Sequence, residues 1–328
     1  MTRPVLDDLR RARRRLGGDV WQTPVVRADW LGERAGCRAW LKLESLQPSR
    51  SFKIRGALNA VGEIEERARA GAAPRVPRVV TASAGNHGLA LSIAAERRGI
   101  GCVVFTPAGA PAVKLGAIRR RGADLRATAV DYDDAERLAL ACAAAEGVPY
   151  VSPYNHPAII SGAGTVALEV LEQQPTVEVL VVPVGGGGLL SGVLIAVRAM
   201  APAVRVIGVE AALNPAFRTS IAQGRIARIP VRPTIADGLG GNLEPGSMTF
   251  DIVRELVDDM VTVDETAIGE AMRDLLAEEH LVVEGAGAVA VAALATGAVA
   301  VGGRTAVALV TGANVDLPRL LDVAGRPA

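Results

Sequence analysis

The chain has 328 residues, of which 50% are apolar and 22% charged, a composition that is ordinary for a globular protein of one or two domains. The formal net charge of +1 argues against nucleic acid, an anionic membrane or a strongly acidic partner, so we expect a small ligand that binds locally. Cys37, Cys102 and Cys142 lie far apart without a C-x-x-C pair, which argues against a disulfide scaffold or a structural zinc site and favours the cytoplasm. We expect all three thiols to be buried in the core.

The N-terminal residues 1–18 are rich in arginine, lack an apolar stretch and include Asp7 and Asp8, so they predict an amphipathic helix rather than a targeting peptide. After them, apolar runs of strand length alternate with longer segments of helical period. We predict strands at 79–83, 101–106, 125–129, 177–184, 204–210, 260–263 and 305–311. We predict helices at 56–70, 88–98, 112–121, 133–146, 158–173, 189–200, 265–279 and 286–295. This alternation predicts an α/β fold with mostly parallel sheets flanked by helices.

Two loops and one apolar stretch bear on the organisation of the chain. Loops 70–78 and 152–157 are predicted to mark where the chain enters and leaves a smaller inserted domain. Residues 285–303 are uncharged and numerous enough to span a bilayer. Because they are mainly Ala, Gly and Val and glycines interrupt them, we predict a buried helix beside a core strand instead.

Lysine is rare in this chain. Of the 36 basic residues only Lys42, Lys53 and Lys114 are lysine, and the other 33 are arginine. A lysine amine can lose its proton and react, whereas a guanidinium group cannot. We expect Lys42 and Lys114 to be ordinary surface residues and single out Lys53, because of the motif around it.

A glycine run follows the apolar segment 177–184. Gly185, Gly186, Gly187 and Gly188 lead into LLSGVLIAVRAM, which predicts a strand, a glycine loop and a helix. Backbone N–H groups of such a loop approach a phosphate closely, and the helix N-terminus adds unpaired donors. No lysine follows as in a P-loop, and no ribose-binding acid stands about twenty residues on, so a dinucleotide site is disfavoured.

Three further motifs are weak alone. SFKIRG (51–56) precedes a helix and otherwise predicts only a capped helix start with exposed basic residues. TASAGNHG (81–88) ends an apolar strand, where its small and hydroxyl residues offer donors to a carboxylate, although an ordinary turn with a structural His87 has the same pattern. VTGAN (310–314) ends another strand. Together these motifs provide an amine, a phosphate loop, a carboxylate-binding turn and a polar strand end.

In this order and spacing, SFKIRGA, SAGNHG, GGGGL and TGAN resemble the serine/threonine dehydratase family of fold-type II pyridoxal-phosphate (PLP) enzymes, which is related to threonine ammonia-lyases and serine racemase. The resemblance covers about residues 20 to 317. It implies a tryptophan synthase β-like α/β fold with a large PLP-binding domain, 1–55 and 156–328, and a small inserted domain, 56–155. It also implies a homodimer that uses PLP and a small amino-acid substrate.

The resemblance assigns roles to residues by motif. Lys53 matches the lysine that forms the Schiff base with PLP and later acts as the base. The other cofactor contacts implied are Asn86 at the phenolic oxygen, Gly185, Gly186, Gly187, Gly188 and Leu189 at the phosphate, and Thr311 at the pyridine nitrogen. Contacts to the substrate carboxylate are implied for Ser51, Ser83 and Asn86.

The activity implied is β-elimination of a hydroxy amino acid, such as L-threonine or L-serine, to a 2-oxo acid and ammonia. The alternatives are a hydroxyaspartate or phenylserine dehydratase, an amino-acid racemase and a β-replacement enzyme of the same fold. Racemase relatives carry a serine before the Gly-Asn-His run as a second acid/base, and Ala84 stands there in this chain. Thr311 offers a neutral hydroxyl that cannot keep a proton on the pyridine nitrogen, which favours elimination over transamination.

The sequence departs from the family pattern at two other places. Many relatives bind a cation through a glutamate and a second acidic residue, and here Glu210 is followed by Ala216 where the second acid is expected. We therefore predict no metal, because Mg²⁺ and Ca²⁺ require several oxygen ligands. Arg50 stands where glycine is common, and it is either an exposed residue or a contact for a substrate β-carboxylate.

Overall fold

The structure is a computed structural model that describes residues 2–83, 85–110 and 112–325. Its strands are β1 (Val25–Arg27), β2 (Arg38–Leu43), β3 (Arg78–Ala82), β4 (Gly101–Pro107), β5 (Asp124–Ala129), β6 (Val179–Pro183), β7 (Arg205–Ala211), β8 (Asp259–Val263) and β9 (Thr305–Val310). Its helices are α1 (Leu6–Leu16), α2 (Asp29–Ala35), α3 (Lys53–Arg69), α4 (Asn86–Arg98), α5 (Ala112–Arg119), α6 (Tyr132–Glu146), α7 (Pro157–Gln173), α8 (Gly188–Met200), α9 (Ala216–Ala222), α10 (Met248–Leu256), α11 (Glu265–Glu278), α12 (Gly285–Ala295) and α13 (Leu317–Ala324).

The strands form two sheets. One has six strands in the order β1-β2-β9-β6-β7-β8, and the other has three in the order β3-β4-β5. All paired strands are parallel except β1 with β2. We call each sheet, with the helices packed on it, the six-stranded layer and the three-stranded layer. The predicted α/β architecture with mostly parallel sheets is confirmed.

The seven strands and eight helices predicted after the N-terminal segment are all present, with ends within three residues of those predicted. Six elements were missed, namely β1, β2, α2, α9, α10 and α13. Most are short, which weakens any periodic signal. Strand β2 contains Lys42, which was predicted to be a surface residue.

Helix ends follow local signals. The side chains of Asp131, Asp264 and Asp316 accept hydrogen bonds from backbone N–H groups in the first turns of α6, α11 and α13. Gly99 and Gly147 end α4 and α6 in the left-handed conformation, with φ of 65° and 64°. These caps fix where the helices start and stop relative to the strands beside them.

Two helices confirm predictions made from composition. Helix α1 is amphipathic and buries Leu9, Ala12 and Leu16, with α7 among its neighbours. Helix α12 is buried along 285–294 and packs on β9 and β6, as predicted for the apolar stretch. In the part of the chain that the structure describes, no helix is both long and apolar enough to cross a membrane.

Close helix packing through glycine sets the position of α3. A Cβ atom added to Gly162 of α7 would lie 2.5 Å from the Arg55 carbonyl oxygen, and one added to Gly56 would lie 3.0 Å from the Ile159 carbonyl oxygen. The backbones of α3 and α7 therefore touch where a side chain of any size would separate them. This contact fixes the position of the first turn of α3, which begins at Lys53, relative to α7.

A cluster of four buried charges lies next to that contact. Arg55 binds Glu44 through Nε at 2.7 Å and Glu169 through Nη1 at 2.7 Å, and Lys42 Nζ lies 2.5 Å from Glu169. Each of these side chains is 7% exposed or less. The prediction that Lys42 is a surface residue is wrong, because Glu169 and the Thr23 carbonyl group bind its ammonium group inside the protein.

The cysteines are all free thiols. Cys102 is buried, and burial raises the pKa of its thiol to about 12. Cys37 and Cys142 are partly exposed, so the prediction of three buried thiols is correct only for Cys102. Cys37 lies between α2 and β2, and Cys142 lies in α6.

Candidate active site

The glycine loop joins the carboxyl end of β6 to the start of α8. Within the described residues, the backbone N–H groups of 185–189 donate to no acceptor. Gly187 has a φ of 81°, and a Cβ atom added there would lie 2.4 Å from the Phe217 ring. A Cβ atom added to Gly186 would lie 2.3 Å from the Tyr154 ring. Glycine is therefore required both by the backbone conformation and by the two aromatic rings that enclose the loop.

Backbone contacts hold Lys53 at the end of strand β9. Ser51 forms an isolated bridge with Gly312, and the Phe52 N–H donates to the Thr311 carbonyl group at 3.0 Å. Lys53 then begins α3 and donates from Nζ to the Pro153 carbonyl oxygen at 2.8 Å. Burial lowers the pKa of Lys53 to about 8, against the opposing charge of Glu284. The amine therefore has a substantial neutral fraction near physiological pH.

A line of polar side chains crosses the site beside Lys53. Asn314 Nδ2 donates to Asn86 Oδ1 at 2.7 Å, and Asn86 Nδ2 donates to Glu284 at 2.5 Å. Gly312 lets the Glu284 carboxyl group approach, because a Cβ atom there would lie 2.1 Å from Glu284 Oε1. Burial, together with the charge of Asp237, raises the pKa of Glu284 to about 7.

Glu284 and Asp237 were not among the residues predicted from the sequence. Glu284 directly precedes the small-residue stretch GAGA, and Asp237 precedes a glycine within IADG. In both cases an acidic residue next to an uncharged segment of small residues was the feature of the sequence that could have indicated a site residue. Asn86 and Glu284 are 198 positions apart, so only the fold shows that they meet.

Hydroxyl groups surround the same space. Ser51 Oγ is buried and, within the described part of the chain, has no hydrogen-bond partner. Ser83 Oγ accepts from the Gly85 N–H at 3.2 Å, which leaves its own proton free to donate. Thr311 is buried, and the distance from its Oγ1 to the Ala286 carbonyl oxygen is 3.4 Å. Ala84, on which the prediction against racemisation depends, lies outside the described residues.

Two other residues singled out in the sequence, His87 and Arg50, do not join these polar side chains. His87 is buried, its Nε2 lies 3.2 Å from the Val151 carbonyl oxygen, and burial lowers its pKa to about 3, so it stays neutral. Arg50 is exposed and has a φ of 59°, in the left-handed region that favours glycine. The hypothesis that Arg50 contacts a substrate β-carboxylate stays a prediction.

Glu210 has partners within the protein. Its two oxygens accept from the backbone N–H groups of Phe217 at 2.7 Å and Arg218 at 2.9 Å, in the first turn of α9. Ala216 adds no carboxylate beside it. No group of three or more His, Cys, Asp or Glu side chains suited to a metal ion occurs in the described ranges.

The residues predicted from the motifs carry chemical groups that are suited to binding PLP. The loop 185–189 offers unpaired N–H donors and a helix N-terminus for a phosphate group. Lys53 offers an amine at the start of α3, Asn86 a side-chain amide at the start of α4, and Thr311 a neutral hydroxyl just after the carboxyl end of β9. In open parallel sheets, ligands bind at these strand ends.

Comparisons with known proteins agree with this geometry. A family model described as pyridoxal-phosphate dependent enzyme matches residues 17–312. The L-threonine ammonia-lyase of Thermotoga maritima is 40% identical over 95% of this chain and 76% of its own length, and the catabolic L-threonine dehydratase of Escherichia coli is 35% identical over 98% of this chain and 96% of its own. The solved structure of maize serine racemase superposes with a TM-score of 0.91 at 33% identity, covering 98% of this chain and 97% of that one.

These matches confirm four predictions: the family resemblance, the α/β fold class, the PLP cofactor and the enzyme class, a PLP-dependent ammonia-lyase. The matched segment includes SFKIRGA, SAGNHG and GGGGL and ends within TGAN. This chain belongs to the family of pyridoxal-phosphate-dependent enzymes.

Proposed function

We propose that the enzyme removes the β-hydroxyl group of L-threonine or L-serine and releases a 2-oxo acid and ammonia. The observation that carries this proposal is the Lys53 amino group, which lies beside the strand ends with a lowered pKa and a backbone carbonyl group as its hydrogen-bond partner. The relatives named as L-threonine ammonia-lyases and dehydratases support the choice of substrate.

Lys53 is proposed to move the α-proton. PLP, when bound, supplies an electron sink that makes the α-proton of an amino acid acidic. With a pKa near 8, the Lys53 amine is basic enough to accept that proton and is partly neutral at physiological pH. Residue 84, where racemase relatives carry a second acid/base, is alanine in this chain, and its methyl group can neither donate nor accept a proton.

The remaining site residues are proposed to bind and orient. Ser51 and Ser83 both have hydroxyl protons free to donate to the substrate carboxylate, and Asn86 is proposed to contribute its side-chain amide. The N–H groups of residues 185–189 would hold the cofactor phosphate. Thr311 would face the pyridine nitrogen with a neutral hydroxyl, and Asn86 would donate to the phenolic oxygen.

Racemisation is the second candidate function, because solved racemases of serine and aspartate superpose with TM-scores of 0.91 and 0.90. The identity of residue 84 argues against it, since alanine neither donates nor accepts a proton. We expect D-amino acid formation from the L-substrate to be negligible beside 2-oxo acid release.

We also propose a homodimer in the cytoplasm and a two-domain division at residues 55/56 and 155/156. The unpaired cysteines fit a reducing compartment. The three-stranded layer takes its strands and α4 to α6 from within 56–155, which supports the division, although the first boundary falls inside α3. Size measurement in solution and limited proteolysis would test these proposals.

The deciding experiment measures 2-oxo acid release by the holoenzyme with L-serine, L-threonine, hydroxyaspartate and phenylserine. Lys53→Ala should abolish release on every substrate that the wild type accepts. The control variant Arg228→Met, at an exposed side chain, should retain full activity. A wild-type protein that is loaded with PLP, shown by its absorbance near the violet, and yet releases no 2-oxo acid would contradict the proposal and favour β-replacement or racemisation.

A further inference from the structure

An ion pair joins the two layers next to the active site. Lys114 of α5, in the three-stranded layer, binds Asp237 at the start of a short 3-10 helix, Asp237–Leu239, in the six-stranded layer. The Lys114 side chain is only 18% exposed, against 40% for Asp237. The prediction that Lys114 is an ordinary surface residue is therefore wrong.

The short helix beside Asp237 touches the active-site loop. A Cβ atom added to Gly185 would lie 3.2 Å from the Gly238 carbonyl oxygen, and one added to Gly238 would lie 3.2 Å from Ala286 Cβ at the start of α12. Asp237 thus lies between the glycine loop and the helix that follows Glu284. Its partner Lys114 comes from the opposite layer.

The same two charges act on Glu284. Asp237 raises the pKa of Glu284 and Lys114 lowers it. The other groups that face Glu284 are Lys53 of α3, the Asn86 amide of α4 and the backbone N–H of Asn314 after β9. The net charge that faces the Glu284 carboxyl group therefore depends on whether the Lys114–Asp237 pair is intact.

We propose that Lys114 and Asp237 are positioning residues, whose ion pair holds the three-stranded layer closed over the Lys53 amine and fixes the charge that faces Glu284. The effect on turnover rests on the proposed elimination, but the closure and the charge do not. Closing layers over an active site excludes water and completes the set of reacting groups. A partly buried pair is suited to this task because it forms only when the layers meet.

The two partners allow a test with opposite signs. Lys114→Met leaves the Asp237 charge uncompensated and should raise the pKa of Glu284, whereas Asp237→Asn leaves Lys114 uncompensated and should lower it. Both variants break the same ion pair. If the pair had only a structural role, both variants would therefore shift the pKa of Glu284 in the same direction. The exchanged double variant, Lys114→Asp with Asp237→Lys, should restore the pair across the layers.

The experiment uses the holoenzyme and two measurements that need no turnover. The first is the midpoint of the pH titration of cofactor absorbance, with Glu284→Gln as the reference that lacks the titrating group. The second is hydrogen exchange of residues 112–129. We expect midpoint shifts of about half to one pH unit in opposite directions, faster exchange in both single variants, and recovery of slow exchange in the double variant.

The matched control is Arg228→Met. Arg228 pairs with Asp133 of α6 and so also joins the two layers, but both of these side chains are mostly exposed, at 77% and 59%. Arg228→Met should change neither the titration midpoint nor the hydrogen exchange of residues 112–129.

Three outcomes would overturn the proposal: midpoint shifts of the same sign in the two single variants, an equal effect of Arg228→Met, or a titration that is unchanged in Glu284→Gln. A protein without elimination activity would leave both measurements interpretable, so failure of the proposed function is distinguishable.

Discussion

Lys53 and Arg55 are two residues apart in the first turn of α3, yet they meet opposite surroundings. Arg55 is fully buried, and its guanidinium group binds the carboxylates of Glu44 and Glu169. Lys53 is partly buried and donates to one backbone carbonyl oxygen. One helical turn thus carries a fully paired cation toward α7 and a cation without a directly bonded carboxylate toward the active site.

The difference appears in the pKa values. Burial alone would lower the pKa of Arg55, but Glu44 and Glu169 outweigh burial and raise it above its usual range. Burial would raise the pKa of Glu44, and Arg55 with Lys42 brings it below its usual range instead. Lys53 and Glu284 lack such compensation, so burial moves both of their pKa values toward neutrality. Paired charges keep their protonation state, and unpaired ones become reactive.

Breaking the paired cluster should have the largest effect on stability. Arg55→Met removes the only cation that binds both Glu44 and Glu169 in the described structure and leaves two buried carboxylates short of partners. We expect a loss of about 3–5 kcal/mol in the free energy of unfolding, measured by denaturant titration. The double variant Arg55→Met with Glu44→Gln keeps the buried Lys42–Glu169 pair and should recover much of that loss. A loss below about 1 kcal/mol in Arg55→Met would contradict the role of the cluster.

Removing Lys53, which has no directly bound carboxylate, should instead raise the free energy of unfolding, by an amount that depends on pH. The folded-state pKa of Lys53 is about 8, below the ordinary 10.5, so the unfolded chain binds more protons between these values. Stability of the wild-type apoprotein should therefore rise from pH 8 to 10.5. The stability of Lys53→Met should not rise in this way. Below pH 8 its free energy of unfolding should exceed that of the wild type by on the order of 2 kcal/mol, and the difference should vanish by pH 10.5.

Unfolding of both apoproteins at pH 7 and pH 10.5 checks this prediction. The reference variant is Arg228→Met, which changes an exposed cation and should follow the wild-type curve. Equal stability of Lys53→Met and wild type at pH 7 would mean that the amine is not destabilised by burial.

A smaller effect should follow from a side chain in the glycine loop. Gly187→Ala combines a positive φ with a collision against Phe217, whereas Gly224→Ala combines a similar φ of 67° with open space. We expect a loss of about 1–3 kcal/mol and weaker PLP binding for Gly187→Ala, and about 1 kcal/mol with unchanged PLP binding for Gly224→Ala. Equal losses in both variants, with equal PLP affinity, would show that Phe217 does not restrict the loop.

The smallest effect is expected for metal removal. Glu210 uses both of its oxygens to bind the first turn of α9, and Ala216 offers no second carboxylate. Treatment of the holoenzyme with a chelator, followed by Mg²⁺ or Ca²⁺, should change kcat/KM by less than about twofold. Ala216→Asp is the matched variant that would supply a second acid. Strong stimulation of the wild type by either ion would contradict the prediction.

The sequence determined the order of strands and helices, the glycine loop and the identity of Lys53, because these depend on local periodicity and on motifs of a few adjacent residues. It did not determine the partners of those residues. Glu284 meets Asn86, and Arg55 meets Glu169, only after distant segments pack together. Lys42 and Lys114 were both misjudged for that reason.

Only the tertiary structure decided which charges are compensated. A lysine in a sequence has the same chemistry at positions 42, 53 and 114, and its protonation depends on burial and on carboxylates that come from other elements. Lys42 meets Glu169, Lys114 meets Asp237, and Lys53 meets the carbonyl oxygen of Pro153. Burial lowers the pKa of Lys42 as well, but its ion pair with Glu169 opposes the shift. The reactive lysine is the one that the fold buries without a directly bound carboxylate, so that desolvation lowers its pKa to about 8.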